Sequence, residues 1–263
     1  MNFFKQMKMR FKEEIFYKLK DLDVSKAKCL FVANDMGKIG LMDNENKKSM
    51  LNLIYETVIK INPKITIVVP TASLNLINND KIFDINNTPS FRMGAFSEYI
   101  RKLKNTKRSF NALWSLSAIG PLSDKITGKV SNHAYDENSS FSKIFEIDNA
   151  FFLSLGNHPR FMLSIIHYFE TMFKVPYRFT KAFEISCIIN SKTYKQKFYL
   201  DVLNEELRYN KRSFNKKIFE NFENKEKLKK VNLGNSHIYY FNLNKFYKIT
   251  CDLFKQDINC WWK

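Results

Sequence analysis

Strand, helix, strand is the order of patterns in the first third of the chain, and no other feature restricts the fold as much. CLFVA (residues 29–33) is a short apolar run flanked by polar residues, as in a strand buried on both faces. From Lys47 to Ile61 apolar side chains recur at Met50, Leu51, Ile54, Val58 and Ile61. Those steps of three and four place them on one helical face. ITIVVPT follows, a β-branched run stopped at Pro70, as expected of a residue that cannot donate to a ladder. Together the three segments predict a βαβ unit and a parallel sheet, hence an α/β fold.

The remaining patterns extend that reading. Helical periodicity over residues 95–103 and 160–173 brackets FFLSL (residues 151–155), an apolar strand candidate. EISCII, KFYL and HIYYF are strand-like, and a helix over residues 243–254 closes the chain. Between KFYL and HIYYF, residues 204–230 alternate in charge with few large aliphatics, which predicts an exposed helical excursion. Residues 1–22 predict an amphipathic helix. Phe4, Met7, Phe11, Ile15, Leu19 and Leu22 share one face, and Lys5, Lys8, Lys12, Lys18 and Lys20 lie on the other. Core packing is the first expectation for it, with weak association to an anionic membrane surface as the alternative. No internal repeat and no linker rich in Pro, Gly or Ser divides the chain, so one domain over residues 1–263 is expected.

Several classes are disfavoured. No apolar run approaches the ~18–20 residues of a membrane span, and MNFFKQMKMRFKEE carries charges where a secretory leader needs an apolar stretch. Cys29, Cys187, Cys251 and Cys260 are scattered, without CxxC or zinc spacing, and read as reduced thiols of a cytoplasmic protein. The formal charge is +17, from 43 basic and 26 acidic residues. Such a field favours anionic partners and repels polycations. Only 8 of the basic residues are Arg, and no nucleic-acid motif is present, so nucleic acid is not an expected partner. GxGxxG, GxxxxGK[ST], GxSxG and HExxH are all missing, which leaves no local support for dinucleotide, P-loop, hydrolase-elbow or zinc-protease chemistry. No metal is expected.

Of the four histidines, His237 lies in a strand-like run, and His133 and His158 lie in predicted loops. His167 differs. In SIIHYFETMF it precedes Glu170 by three residues, so the two share a helical face one turn apart. A carboxylate beside imidazole fixes its tautomer and stabilises the imidazolium, the equipment of a general base.

Longer patterns carry a resemblance. Residues 83–110 contain Thr88-Pro89-Ser90, Met93-Gly94, Ser97-Glu98, Arg101 and Arg108-Ser109, followed by Ser115 and Gly120. VVPT precedes them, while SSFSKIFEID, FFLSLG, SIIHYFE, VPYR and VNLGNSHIYYFNLNKFYKI follow in order. This ordered set resembles the aminoglycoside 3-N-acetyltransferase family over nearly the whole chain. The resemblance implies a three-layer α/β/α fold with a mixed, partly parallel sheet, distinct from the GNAT acetyltransferases. It implies acetyl-CoA as donor and the primary amine of an amino sugar as acceptor. His167 is then the general base and Glu170 its orienting carboxylate. Thr71 and Ser115 become donor-site candidates or turn hydroxyls, and Arg108 and Ser109 either meet the CoA phosphates or build their loop. The chain departs from the family pattern at Ala33-Asn34-Asp35-Met36, Asn111-Ala112 and Ser139-Ser140.

The acceptor expected first is an amino sugar of a biosynthetic pathway, nucleotide-linked or part of a surface glycan. An aminoglycoside antibiotic is the alternative. Its several ammonium groups suit an acidic cleft, which the net charge disfavours but which Glu98, Asp136, Glu137 and Asp148 could create locally. A non-catalytic basic binding module is the third reading. Acceptor identity, acyl-chain preference and oligomeric state are not legible.

Overall fold

Six consecutive buried residues make strand β1 (Cys29–Asn34) the centre of the fold. The computed structural model describes residues 3–39, 47–161, 164–206, 217–226 and 228–261. Strand β1 pairs in parallel with β2 (Thr66–Pro70) on one side and β5 (Ala150–Leu155) on the other, Cys29 standing opposite both Thr66 and Ala150. Antiparallel partners extend both flanks. Strands β4 (Leu116–Ile119) and β3 (Lys107–Arg108) follow β2, and β9 (Ser236–Asn242) and β8 (Lys229–Leu233) follow β5. The order is β3-β4-β2-β1-β5-β9-β8, the mixed, partly parallel sheet that the resemblance implied.

Strand alternation splits β1 between two cores. Leu30 and Val32 face one core, built from Ile15 and Leu19 of α1 (Phe3–Asp21), Ile54 and Val58 of α3 (Lys47–Ile61), and Phe96 and Ile100 of α4 (Ala95–Arg101). The four-residue turn α2 (Met36–Ile39) adds Ile39 to it. Cys29, Phe31 and Ala33 face the other core, with residues of α5 (Ser123–Thr127), α6 (Ser140–Phe145), α7 (Ile166–Met172), α8 (Lys217–Lys225) and α9 (Leu243–Gln256). A row of rings crosses the sheet on that side. Phe31 stacks on Phe152 at 5.6 Å and Phe152 on Phe241 at 5.0 Å, each in register across neighbouring strands, and full burial stabilises each ring by about 1.5–3 kcal/mol. Helices on both faces of one sheet give the three expected layers.

A separate ribbon of β6 (Arg178–Ile189) and β7 (Lys192–Leu203) leans on the second core through Ile185, Cys187 and Phe198. Its turn residues Asn190 and Ser191 both have positive φ, the geometry that matches the twist of a two-residue hairpin.

Two expectations change, and a third is settled as first expected. The helix predicted over residues 160–173 begins as a separate 3-10 turn at Pro159–Phe161, and α7 covers only Ile166–Met172, with residues 162–163 outside the described set. His158 Nδ1 accepts the Arg160 N–H, a local bond that competes with a helical start. Residues 204–230 are not an exposed excursion, because Ile218, Phe219 and Phe222 of α8 are buried in the aromatic core and Lys229 begins β8; residues 207–216 and 227 lie outside the described set. The N-terminal helix takes the core-packed reading at Ile15, Leu19 and Leu22, all 0–1% exposed. The side chains of Phe4, Met7 and Phe11 lie outside the described set. Among the described residues, no helix is long and apolar enough to cross a membrane. All four cysteines are free, and Cys29, Cys187 and Cys260 are buried.

Candidate active site

The parallel strands β2, β1 and β5 all end at the same edge. The helix after β1 packs on one sheet face, and the helices before β5 pack on the other. Such a switch point opens a crevice at the carboxyl ends of parallel strands. Here it is a cavity of about 360 Å³ lined by Ala33, Asn34, Pro70, Arg92, Met93, Trp114, Arg160, Phe161, Ser164, Ile166, His167 and Trp261. A second lobe of about 500 Å³ shares Asn34, Arg92 and Phe161 and continues past Asp35–Gly37, Met50, Leu51, Gly94 and Ala95.

Asn34, the last residue of β1, fixes the wall between the lobes. Its Oδ1 accepts from Phe96 N at 3.0 Å, and its Nδ2 donates to Ser97 Oγ at 2.9 Å and Met93 O at 3.2 Å. It thereby supplies the cap that the first turn of α4 lacks. Gly94, at φ +88°, passes so close that a Cβ there would stand 2.2 Å from Asn34 Oδ1. Only glycine fits.

His167 enters the first lobe from α7. Its Nδ1–H donates to Glu170 Oε2 at 2.5 Å, leaving Nε2 as the ring nitrogen available to the cavity. The Glu170 side chain is fully buried, and Arg178 Nε lies 2.8 Å from the same Oε2. Burial alone pushes the Glu170 carboxyl upward, but the adjacent His167 and Arg178 outweigh it and hold the group below the ordinary carboxylate range. The Tyr135 ring meets the imidazole edge-on at 5.4 Å. A second carboxylate steadies this assembly. Asp201 accepts from Thr171 Oγ1 of α7 at 2.6 Å, from Thr180 Oγ1 at 2.6 Å and from His133 Nε2 at 3.3 Å, and its backbone carbonyl accepts from Arg178. So the ribbon is tied to the helix that carries His167.

The other sequence candidates lie beneath the cleft. Arg108 donates through Nε to Ser115 Oγ, through Nη1 to the Thr88 and Ile85 carbonyls, and through Nη2 to Thr71 O and Ser73 Oγ. That occupies all five donors of a guanidinium in a buried side chain, and burial pulls its pKa down to about 9. Thr71 Oγ1 lies 3.2 Å from Ser115 Oγ and 3.1 Å from Ser117 Oγ, while Ser109 Oγ accepts from Leu116 N. Thr71, Ser109 and Ser115 are at most 1% exposed, and none of the four candidates lines either lobe. Of the two roles that the sequence left open, the geometry fits the loop-building one. The same holds for the signature around them. Ser90 donates twice to Glu98, which also pairs with Arg101, and these bonds draw Glu98 down to about 2 despite its burial.

A model of the aminoglycoside 3-N-acetyltransferase family matches residues 35–255. The chain belongs to the aminoglycoside 3-N-acetyltransferase family. Solved structures agree on the fold. YokD from Bacillus subtilis is 20% identical with a TM-score of 0.77, covering 95% of this chain and 94% of that one. AAC-VIa bound to sisomicin is 15% identical with a TM-score of 0.77 over 93% and 97%. AAC-IIIb in a binary complex with CoASH is 17% identical with a TM-score of 0.74 over 93% and 96%. No curated protein sequence matches.

For this N-acetyltransferase family member the cleft's own charge is informative. Glu98, Asp136, Glu137 and Asp148 line neither lobe. Among the described residues the one acidic side chain lining the cleft is Asp35, in the lobe away from His167. Arg92, Arg160, Trp114, Trp261, Ser164 and Arg178 escaped the sequence reading. Ser164 alone carried a spacing signal, standing three residues before His167. Its Oγ is buried without a hydrogen-bond partner among the described residues. The described residues hold no cluster of three or more His, Cys, Asp or Glu suited to a metal.

Proposed function

We propose that this chain transfers the acetyl group of acetyl-CoA to the primary amine of an amino sugar, with His167 as general base and Glu170 as its orienting carboxylate. The observation that carries the reading is a cavity-facing imidazole anchored through Nδ1 to a buried carboxylate, at the crevice where this fold gathers its strand ends.

An alkylammonium is not a nucleophile, so its proton must leave as nitrogen attacks the thioester carbonyl. His167 Nε2 takes that proton, and Glu170 stabilises the imidazolium that forms. Arg178 shares the carboxylate oxygen with His167 and keeps Glu170 ionised in its buried position. Ser164 Oγ, on the turn before His167, is the hydroxyl that we assign to the developing oxyanion. Acetyl-CoA supplies the electrophilic carbonyl and a thiolate leaving group. Met36, Met50, Leu51 and Ala95, with the amides of Asn34 and Asn157, give the second lobe a mixed lining that suits a pantetheine arm. A cytoplasmic location fits free cysteines and a CoA thioester substrate.

We take the acceptor to be a biosynthetic amino sugar, nucleotide-linked or destined for a surface glycan, since the His167 lobe offers cations and rings and no carboxylate among its described lining residues. The family match and sisomicin-bound AAC-VIa favour the alternative, an aminoglycoside. Calorimetric titration with acetyl-CoA at low and moderate salt, followed by thiol release with amino sugars and sisomicin, tests both parts. Stoichiometric, salt-tolerant binding near micromolar Kd, about −8 kcal/mol, with turnover on amino sugars is the expected result. Binding that vanishes with salt overturns the reading, and turnover on sisomicin alone installs the alternative.

A further inference from the structure

We infer that Arg92 and Arg160 form an anion-binding pair for the acceptor, so that the amine acetylated at His167 belongs to a molecule also bearing a phosphate or carboxylate. The inference rests on the acetyltransferase reading above and specifies its substrate class. Both side chains line the His167 lobe, and neither has an ion pair among the described residues. Arg160 is half-buried, and its Nε is buried with no hydrogen-bond partner among the described residues. A guanidinium desolvated in this way needs a compensating acceptor. Its Cζ lies over the Phe161 ring, 4.4 Å from the centroid, a cation–π contact that holds the guanidinium at the cavity wall, and its fork matches the geometry of a phosphate or carboxylate. Arg92 is held in the left-handed region at φ +59°, a conformation uncommon for a non-glycine residue and concentrated at functional sites.

CoA also carries phosphates, so the anion has two possible sources. In CoA they lie a full pantetheine arm from the thioester. Arg160 lines the lobe of the proton acceptor and not the second lobe, so it stands beside the reacting nitrogen. Trp114 and Trp261 complete the walls of that lobe and suit the apolar face of a sugar ring. A polycation entering here meets two guanidinium groups and no lining carboxylate.

The test is a matched pair of probes, glucosamine and glucosamine 6-phosphate, titrated by calorimetry into the full chain saturated with CoASH, which occupies the donor's own phosphate contacts. The phosphorylated probe binds at least about tenfold tighter, the size of one charge-assisted hydrogen-bonded contact. Arg160→Gln brings the ratio to about one and leaves CoASH affinity within about twofold. Arg160→Lys restores part of the preference, since it returns the charge without the fork. Should Arg160→Gln melt early, the exposed Arg92→Gln serves with the same expected direction. Equal binding of the two probes by wild type, no binding of the phosphorylated probe, or a ratio unchanged in both variants overturns the proposal. A parallel loss of CoASH affinity in Arg160→Gln assigns the pair to the donor and overturns it too. Failure of the wild type to bind CoASH at all overturns the acetyltransferase reading and this inference with it.

Discussion

Glu170→Gln isolates charge from shape at the centre of the site. The amide still accepts the His167 Nδ1–H, so tautomer and ring orientation persist while the negative charge disappears. In the parent, the carboxylate sits 2.5 Å from the imidazole and 2.8 Å from Arg178, with a fully buried side chain. A hydrogen bond to a charged group is worth about 1.5–3 kcal/mol, and the imidazolium needs it in the transition state. At 1.36 kcal/mol per decade the substitution lowers kcat by roughly 10- to 150-fold. Stability falls as well, because Arg178, whose side chain is 11% exposed, keeps its charge without a counterion. Breaking a buried pair on one side costs about 3–5 kcal/mol, or roughly 10 °C in Tm for a chain of this size. Thiol release against acceptor concentration measures the first effect and a thermal melt the second. The double variant Glu170→Gln, Arg178→Gln recovers part of the lost Tm, since the stranded charge is gone. An acceptor KM that rises while kcat stays constant refutes the reasoning by placing Glu170 on the amine, and a loss larger than that of His167→Ala refutes it equally.

Three further outcomes follow from the geometry. Arg108→Ala strands the acceptors at Thr71, Thr88, Ser73 and Ser115 and destabilises by about 3–5 kcal/mol in urea unfolding, while acetyl-CoA affinity of the folded protein stays within about twofold. Gly94→Ala drives a Cβ into Asn34 at a positive φ and destabilises by more than about 2 kcal/mol, with activity lost as the wall between the lobes shifts. Glu98 and Asp201 both titrate near 2 in the folded chain, below their ordinary values of 4.5 and 3.8. Their folded pKa values are depressed, so the stability they contribute is present above about pH 4.5 and is lost as pH falls toward 2. Circular dichroism across that window shows the transition, and Glu98→Gln makes it shallower.

Much of this fold was legible because apolar runs and their stops are local. Strands β1, β2 and β5, with helices α3 and α9, lie where CLFVA, ITIVVP, FFLSL and the two periodic runs placed them. The stretch at residues 204–230 was misread because its charge masks Ile218, Phe219 and Phe222, whose spacing of one, three and four already describes a buried helical face. His167 and Glu170 were visible because one helical turn encodes their contact. Arg178 was not, since it reaches Glu170 from a strand after a bend in the chain. The role of Arg108 was hidden for a related reason, as its acceptors lie 7 to 37 positions away. Arg92, Trp114, Arg160 and Trp261 converge from four separate segments, and no spacing rule links such residues before the sheet gathers them.

The central claim, that His167 removes the amine proton during acetyl transfer, is tested most directly by His167→Ala with two readouts on the same preparation. With His167 as the proton acceptor, acetyl-CoA affinity stays within about twofold of wild type while amine-dependent thiol release falls by at least the 10²–10⁴-fold typical of a general base. Near-normal turnover, or loss of turnover that tracks an equal loss of donor affinity, contradicts it.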